Sequence, residues 1–194
     1  MKNCHRLRFF EITLAALLLI GIHPPLSGAL IPFRDSEAAI QMGKDIARIA
    51  AEASASSSIP EIKREIVIYE YCAVLIHLTD RVASNKFASK ERNKFINLVN
   101  AGLRAQLAIL KSEHVLNPNI NIGEILKLIY KRQVMYSKYD SQFAGSLPWA
   151  FGKWMAKILD TPQDLNTILE HTYIMWQSFE RLNVTDRMVS LEAE

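Results

Sequence analysis

Lys63, Glu70, His77 and Arg81 recur along an otherwise apolar stretch at intervals of seven, seven and four residues. At about 100° per residue they fall within about 40° of one another, forming one polar stripe on a helix. Asp80 lies beside the stripe, three residues after His77. A carboxylate and an imidazole on one helix face can bind a metal ion or pass a proton. Glu70, His77 and Asp80 are therefore the candidate metal-ligating set. Glu113, His114, Glu170 and His171 could supply further ligands from other helices. The structural alternative is that the stripe is the helix's solvent edge, or a buried ion-pair network that includes Arg81, since buried charges are normally paired.

Sharper chemistries lack their signatures. A di-iron bundle needs Glu-x-x-His on two helices, and none of the five histidines has Glu three residues before it. Metalloprotease, haem-attachment, phosphate-loop and serine-hydrolase motifs are absent as well. No cofactor is named by the sequence. A second candidate is the segment Gly145 to Leu159, in which Trp149, Phe151 and Trp154 cluster and Lys153 and Lys157 share a face. These aromatics could anchor a protein partner or rest at a membrane interface; the alternative is that they plug one end of the core. Tyr130, Tyr136 and Tyr139, interleaved with Lys131, Arg132 and Lys138, form a third basic–aromatic cluster. Such mixtures contact nucleic acid or carbohydrate in some proteins, but amphipathic tyrosines beside a solvated basic edge are the expectation here.

The charge balance speaks against nucleic acid. The chain carries a formal net charge of +3, and Lys2, Arg6 and Arg8 against Glu11 supply most of it from the first 29 residues. The remainder is nearly neutral and has no bulk field to gather polyanions. That same N-terminal stretch reads as an export signal. A basic start precedes the apolar run Phe9 to Ile22, then Pro24-Pro25, then the small residues Ser27-Gly28-Ala29. The uninterrupted core from Ile12 to Ile22 is shorter than the ~20 residues a span requires. Cleavage after Ala29 and a periplasmic or extracellular address are expected, the alternative being a retained anchor and a membrane-tethered domain. Contact with a membrane is expected only in that case, or if 147–159 is interfacial. Cys4 leaves with the leader and Cys72 remains alone, so no internal disulfide is expected and Cys72 reads as a small core residue.

The elements that must position these residues are helical. With 194 residues and 49% apolar side chains, the chain suits one domain with a sizeable core. No useful stretch alternates with period two, and no solenoid repeat recurs. The expected fold is all-α: an irregular bundle of about six helices over 30–182, around a central apolar helix at about 60–87, with a tail at 183–194 that loses its period. Capping signals set the boundaries: Ser58 with Glu61, Ser89, Asn121 with Glu124, and Thr161-Pro162. Gly145 is the expected stop of the fourth helix.

Overall fold

A computed structural model of the chain describes residues 36–55, 59–139 and 146–190. The expected leader at 1–29 lies outside them, as do Ser58 and Gly145. The described residues are mostly helical, with no strand among them. The helices are α1 (Ser36–Ser54), α2 (Glu61–Lys86), α3 (Ser89–Ser112), α4 (Ile122–Tyr136) with the 3-10 turn Ser137–Tyr139, α5 (Ser146–Ile158), α6 (Leu165–Leu182) and α7 (Val184–Ser190). No described helix is long and apolar enough to cross a membrane.

Helix α2 is the centre, as its all-round apolarity requires. It touches each of the other helices, and every residue from Val67 to Thr79 is buried. A fully buried aliphatic side chain contributes about 1.5–3 kcal/mol of transfer free energy, so this segment and its surroundings form the main hydrophobic core. Cys72 lies within it, wholly buried and unpaired, and burial pushes its thiol pKa up. Tyr71 packs edge-on against Phe151 of α5 at 5.0 Å between ring centroids.

Caps decide where the helices begin, and three differ from the sequence expectation. Asn121 caps α4 as expected: its side chain accepts the Gly123 N–H at 2.8 Å. Asp164, and not Thr161, caps α6, accepting from the N–H groups of Asn166 and Thr167 at 3.1 and 3.2 Å. The Thr167 hydroxyl bonds the same carboxylate, and these hydrogen bonds hold the Asp164 pKa below its ordinary value. Thr161 instead closes α5, its N–H donating to the Ala156 carbonyl at 2.8 Å beside Asp160 in the left-handed region. Helix α3 starts at Ser89 with Ala88 in the cap position, and α2 starts at Glu61 after Pro60, neither with a side-chain cap.

Of the expected tail, residues 183–190 are described, and Val184–Ser190 form a helix. Asn183, at φ 47°, breaks α6, and the chain turns directly into α7, burying Val184 and Met188. Arg187 then reaches Asp45 of α1 at 2.8 Å. Asp45 is itself buried and receives Gln41 and Arg48 at 3.1 Å each, so the tail helix helps to satisfy a carboxylate inside the fold.

The most extensive helix pair is α1 against α3. They run antiparallel and nearly touch, because each offers a glycine at the crossing. A Cβ on Gly43 would sit 1.9 Å from the Val99 carbonyl oxygen, and one on Gly102 would sit 1.9 Å from that of Ile40. Both obstacles are backbone, so a methyl group can be admitted only by separating the helices. Overpacking costs about 1–3 kcal/mol in typical cores, against the roughly 1 kcal/mol that alanine gains over glycine in a helix. Contact with rigid backbone places this site at the costly end. Gly102→Ala should lose about 2 kcal/mol in urea unfolding; unchanged or increased stability would show that the helices are not held at this distance.

Candidate functional site

The polar stripe on α2 faces helices, and its members go to different partners. Lys63, at the N-terminal end, donates to the Ile158 carbonyl at 2.6 Å and pairs with Asp160, closing the C-terminus of α5. Glu70, with a side chain 3% exposed, meets Arg132 of α4. The Arg132 Nε–H donates to Oε1 at 2.6 Å and the Tyr136 hydroxyl donates to Oε2 at 2.9 Å. Burial, reinforced by the neighbouring Glu70 charge, pushes the Tyr136 phenol pKa well up, so it remains a donor. The Arg132 guanidinium lies over the Trp154 ring of α5, 4.4 Å from its centroid, where the ring face attracts a cation. One buried carboxylate thus joins α2 to α4, and its counter-ion joins α4 to α5.

Glu70, His77 and Asp80 therefore do not assemble as a metal set. The oxygens of Glu70 accept from Arg132 and Tyr136. Asp80 turns toward α3, where Arg92 grips it with two bonds, Nε to Oδ1 at 2.7 Å and Nη2 to Oδ2 at 2.5 Å. That fork pins the α2–α3 turn, and Asp80 raises the Arg92 pKa in return. Among the described residues no group of three or more His, Cys, Asp or Glu is placed to hold an ion. Arg132 supplies the cation that meets Glu70.

The aromatic segment is divided between core and surface. Phe151 is fully buried against Tyr71 and Tyr136 and belongs to the core. Trp154 is partly buried beneath Arg132, with Lys157 Nζ 5.4 Å from its ring. Trp149 is 39% exposed and alone of the three presents a large apolar surface to solvent.

A second buried polar pair escaped the sequence reading. The Tyr71 hydroxyl lies 2.8 Å from Nδ1 of His171 on α6, with both side chains wholly buried. Burial raises the phenol pKa, so the phenol keeps its proton. The Nε2 atom of His171 has no hydrogen-bond partner among the described residues. The spacing of Ile168, His171, Met175 and Leu182 carried the signal, because it places His171 on the core side of α6. In the same way Arg132 follows Ile125 and Ile129 and precedes Tyr136 at intervals of four, three and four, which aligns it with the buried stripe of α4.

Where the apolar filling between α2 and α4 ends, a cleft opens. Its volume is about 440 Å³, and His77, Asp80, Arg81, Ser84 and Asn85 of α2, Arg92 of α3, and Tyr130, Gln133, Val134 and Ser137 on the α4 side line it. That size falls within the range of small-ligand sites, roughly 300–1,000 Å³. The polar residues lie on three helices, two of which are fixed beside the cleft by the Glu70–Arg132 and Asp80–Arg92 pairs. A smaller cavity of about 310 Å³ lies between α1 and α6, beside the Arg181–Glu52 pair.

No protein-family model, curated protein or solved structure matches this chain.

The buried imidazole gives a pH dependence whose sign can be worked out. Burial lowers the His171 pKa, against a smaller opposing pull from Glu170. The unfolded chain, with an ordinary His pKa of about 6.5, then binds more protons than the native chain between the two values. Stability falls as pH drops through that window and is retained in full above it. The unfolding midpoint should decline between pH 7.5 and 5.5, and His171→Gln should flatten that decline. An identical slope in the variant would show that His171 does not titrate on unfolding.

Proposed function

We propose that this protein is an exported helical binding protein that takes a small ligand in the cleft between α2 and α4. The observation that carries this reading is the convergence on one cavity of polar side chains from three helices. Ligand sites commonly have this form, a few polar groups aimed into a concavity from a rigid scaffold. Export rests on the basic start, short apolar run and small residues of the first 29 positions. Binding, in preference to catalysis, is supported by the use of Glu70, Asp80 and His171 in pairs that hold helices together.

The reading is tested on the mature protein recovered from its host without denaturation. Native mass spectrometry should find a small molecule bound, and Ser84→Trp, which places a large ring at the exposed side of the cleft, should abolish its retention while leaving the helical spectrum intact. A bare protein, or a ligand retained by the plugged variant, would dismiss the cleft. A protein partner is a second reading, favoured by the exposed Trp149 in line with the exposed Lys153 and Lys157. It requires Trp149→Ala to reduce co-purification of that partner without unfolding the bundle.

A further inference from the structure

We infer that the occupant of the cleft is an uncharged polyhydroxyl compound, a sugar or polyol, held by the amides of Asn85 and Gln133 with Tyr130 against one of its faces. The inference rests on the proposed binding role of the cleft and adds the chemistry of its occupant. The ionisable groups of the wall are engaged by the protein itself. Both Asp80 oxygens accept from Arg92, and Arg81 and His77 have partners of their own. A cationic ligand would have to displace Arg92 from Asp80, and an anionic one would compete with Asp80 for Arg92.

The rest of the polar lining is neutral: Ser84, Asn85, Tyr130, Gln133 and Ser137. Among the described residues nothing is hydrogen-bonded to the amide of Asn85, the amide of Gln133 or the Tyr130 hydroxyl. An amide both donates and accepts, and so does a phenol. The Ser84 and Ser137 hydroxyls direct their protons to the Arg81 and Val134 carbonyls at 2.7 and 2.8 Å, which leaves their oxygens as acceptors. A lining of this kind is matched by a ligand group that also does both, and a hydroxyl does so through one atom. An apolar ligand would instead displace water from these amides and leave them unpaired, which is costly. The neutral groups also stand on both walls, Ser84 and Asn85 on α2 and Gln133 and Ser137 on the α4 side. A molecule with hydroxyls around its perimeter can meet both at once. Tyr130 and Val134, one turn apart on α4, are 67% and 48% exposed and give this cleft an apolar surface for the C–H face of a sugar ring.

The test is calorimetric titration of the mature protein with glucose, maltose and myo-inositol, with citrate and choline as the charged controls. At least one of the neutral compounds should bind saturably with a dissociation constant below about 1 mM, and citrate and choline should not. Its affinity should change by less than about twofold between about 20 and about 500 mM sodium chloride, because no ligand charge is there to be screened. Gln133→Leu should weaken it by about fivefold or more, since the hydrogen bonds of the amide are lost with little change of shape. Tyr130→Ala, at an exposed position outside the core, should weaken it by a similar factor, and that variant carries the test if the first fails to fold. Failure of all three neutral compounds to bind, or undiminished affinity in a folded variant, overturns the inference. A charged or hydroxyl-free molecule found on the native protein and expelled by Ser84→Trp would overturn it too, while leaving the binding role of the cleft in place.

Discussion

A helix surrounded on all sides cannot carry a charge without a partner that another helix delivers. Helix α2 is such a helix from Val67 to Thr79, and Glu70 stands within that run. Removing a carboxylate from water is costly, and the pairing repays the cost only with close geometry and additional donors. Arg132 and Tyr136 provide both, from positions one turn apart on α4. The register of α4 against α2 is therefore tied to one interaction. Trp154, beneath Arg132, extends the constraint to α5, and the hairpin of α5 and α6 brings His171 to Tyr71.

The cleft follows from the same arrangement. Apolar filling between α2 and α4 continues as far as α2 remains apolar, and it ends near His77. Beyond that point α2 presents Asp80, Arg81, Ser84 and Asn85, while α4 and the 3-10 turn after it present Gln133 and Ser137. These side chains do not close against one another as Ile and Leu would, so a polar hollow remains beside a firmly docked segment. Arg92 shapes its end by folding back from α3 onto Asp80. Elsewhere α1 and α3 approach closely through Gly43 and Gly102, and α7 supplies Arg187 to the buried Asp45.

Much of the fold was legible because its signals are local. The central helix declared itself by the length of its apolar run, and Asn121 announced the start of α4. The buried residues of these helices recur at helical spacing, Phe95, Val99, Leu103 and Leu110 on α3 and Ile125, Ile129 and Tyr136 on α4. The site was less legible, because its meaning lies in pairings between distant residues. The polar stripe on α2 was visible as a pattern, but nothing local says that Glu70 meets a residue 62 positions away while Asp80 meets one only 12 away. Likewise, clustering of Trp149, Phe151 and Trp154 could not show that the second faces the core and the first faces solvent. Helix α7 was missed for a related reason: with seven residues it has too few turns for periodicity to show, and tertiary packing against α2 and Asp45 holds it.

The central claim, that a buried Glu70–Arg132 pair fixes α4 on α2, is tested most directly by a double-mutant cycle on unfolding free energy with Glu70→Gln and Arg132→Met. Methionine retains apolar cover over Trp154 while removing the charge. Arg132→Met alone should cost about 3 kcal/mol or more, since it leaves a carboxylate buried without its cation. The double variant should recover much of that loss, giving a coupling of about 2 kcal/mol. Losses that add within about 0.5 kcal/mol, as they do for independent sites, would contradict the account.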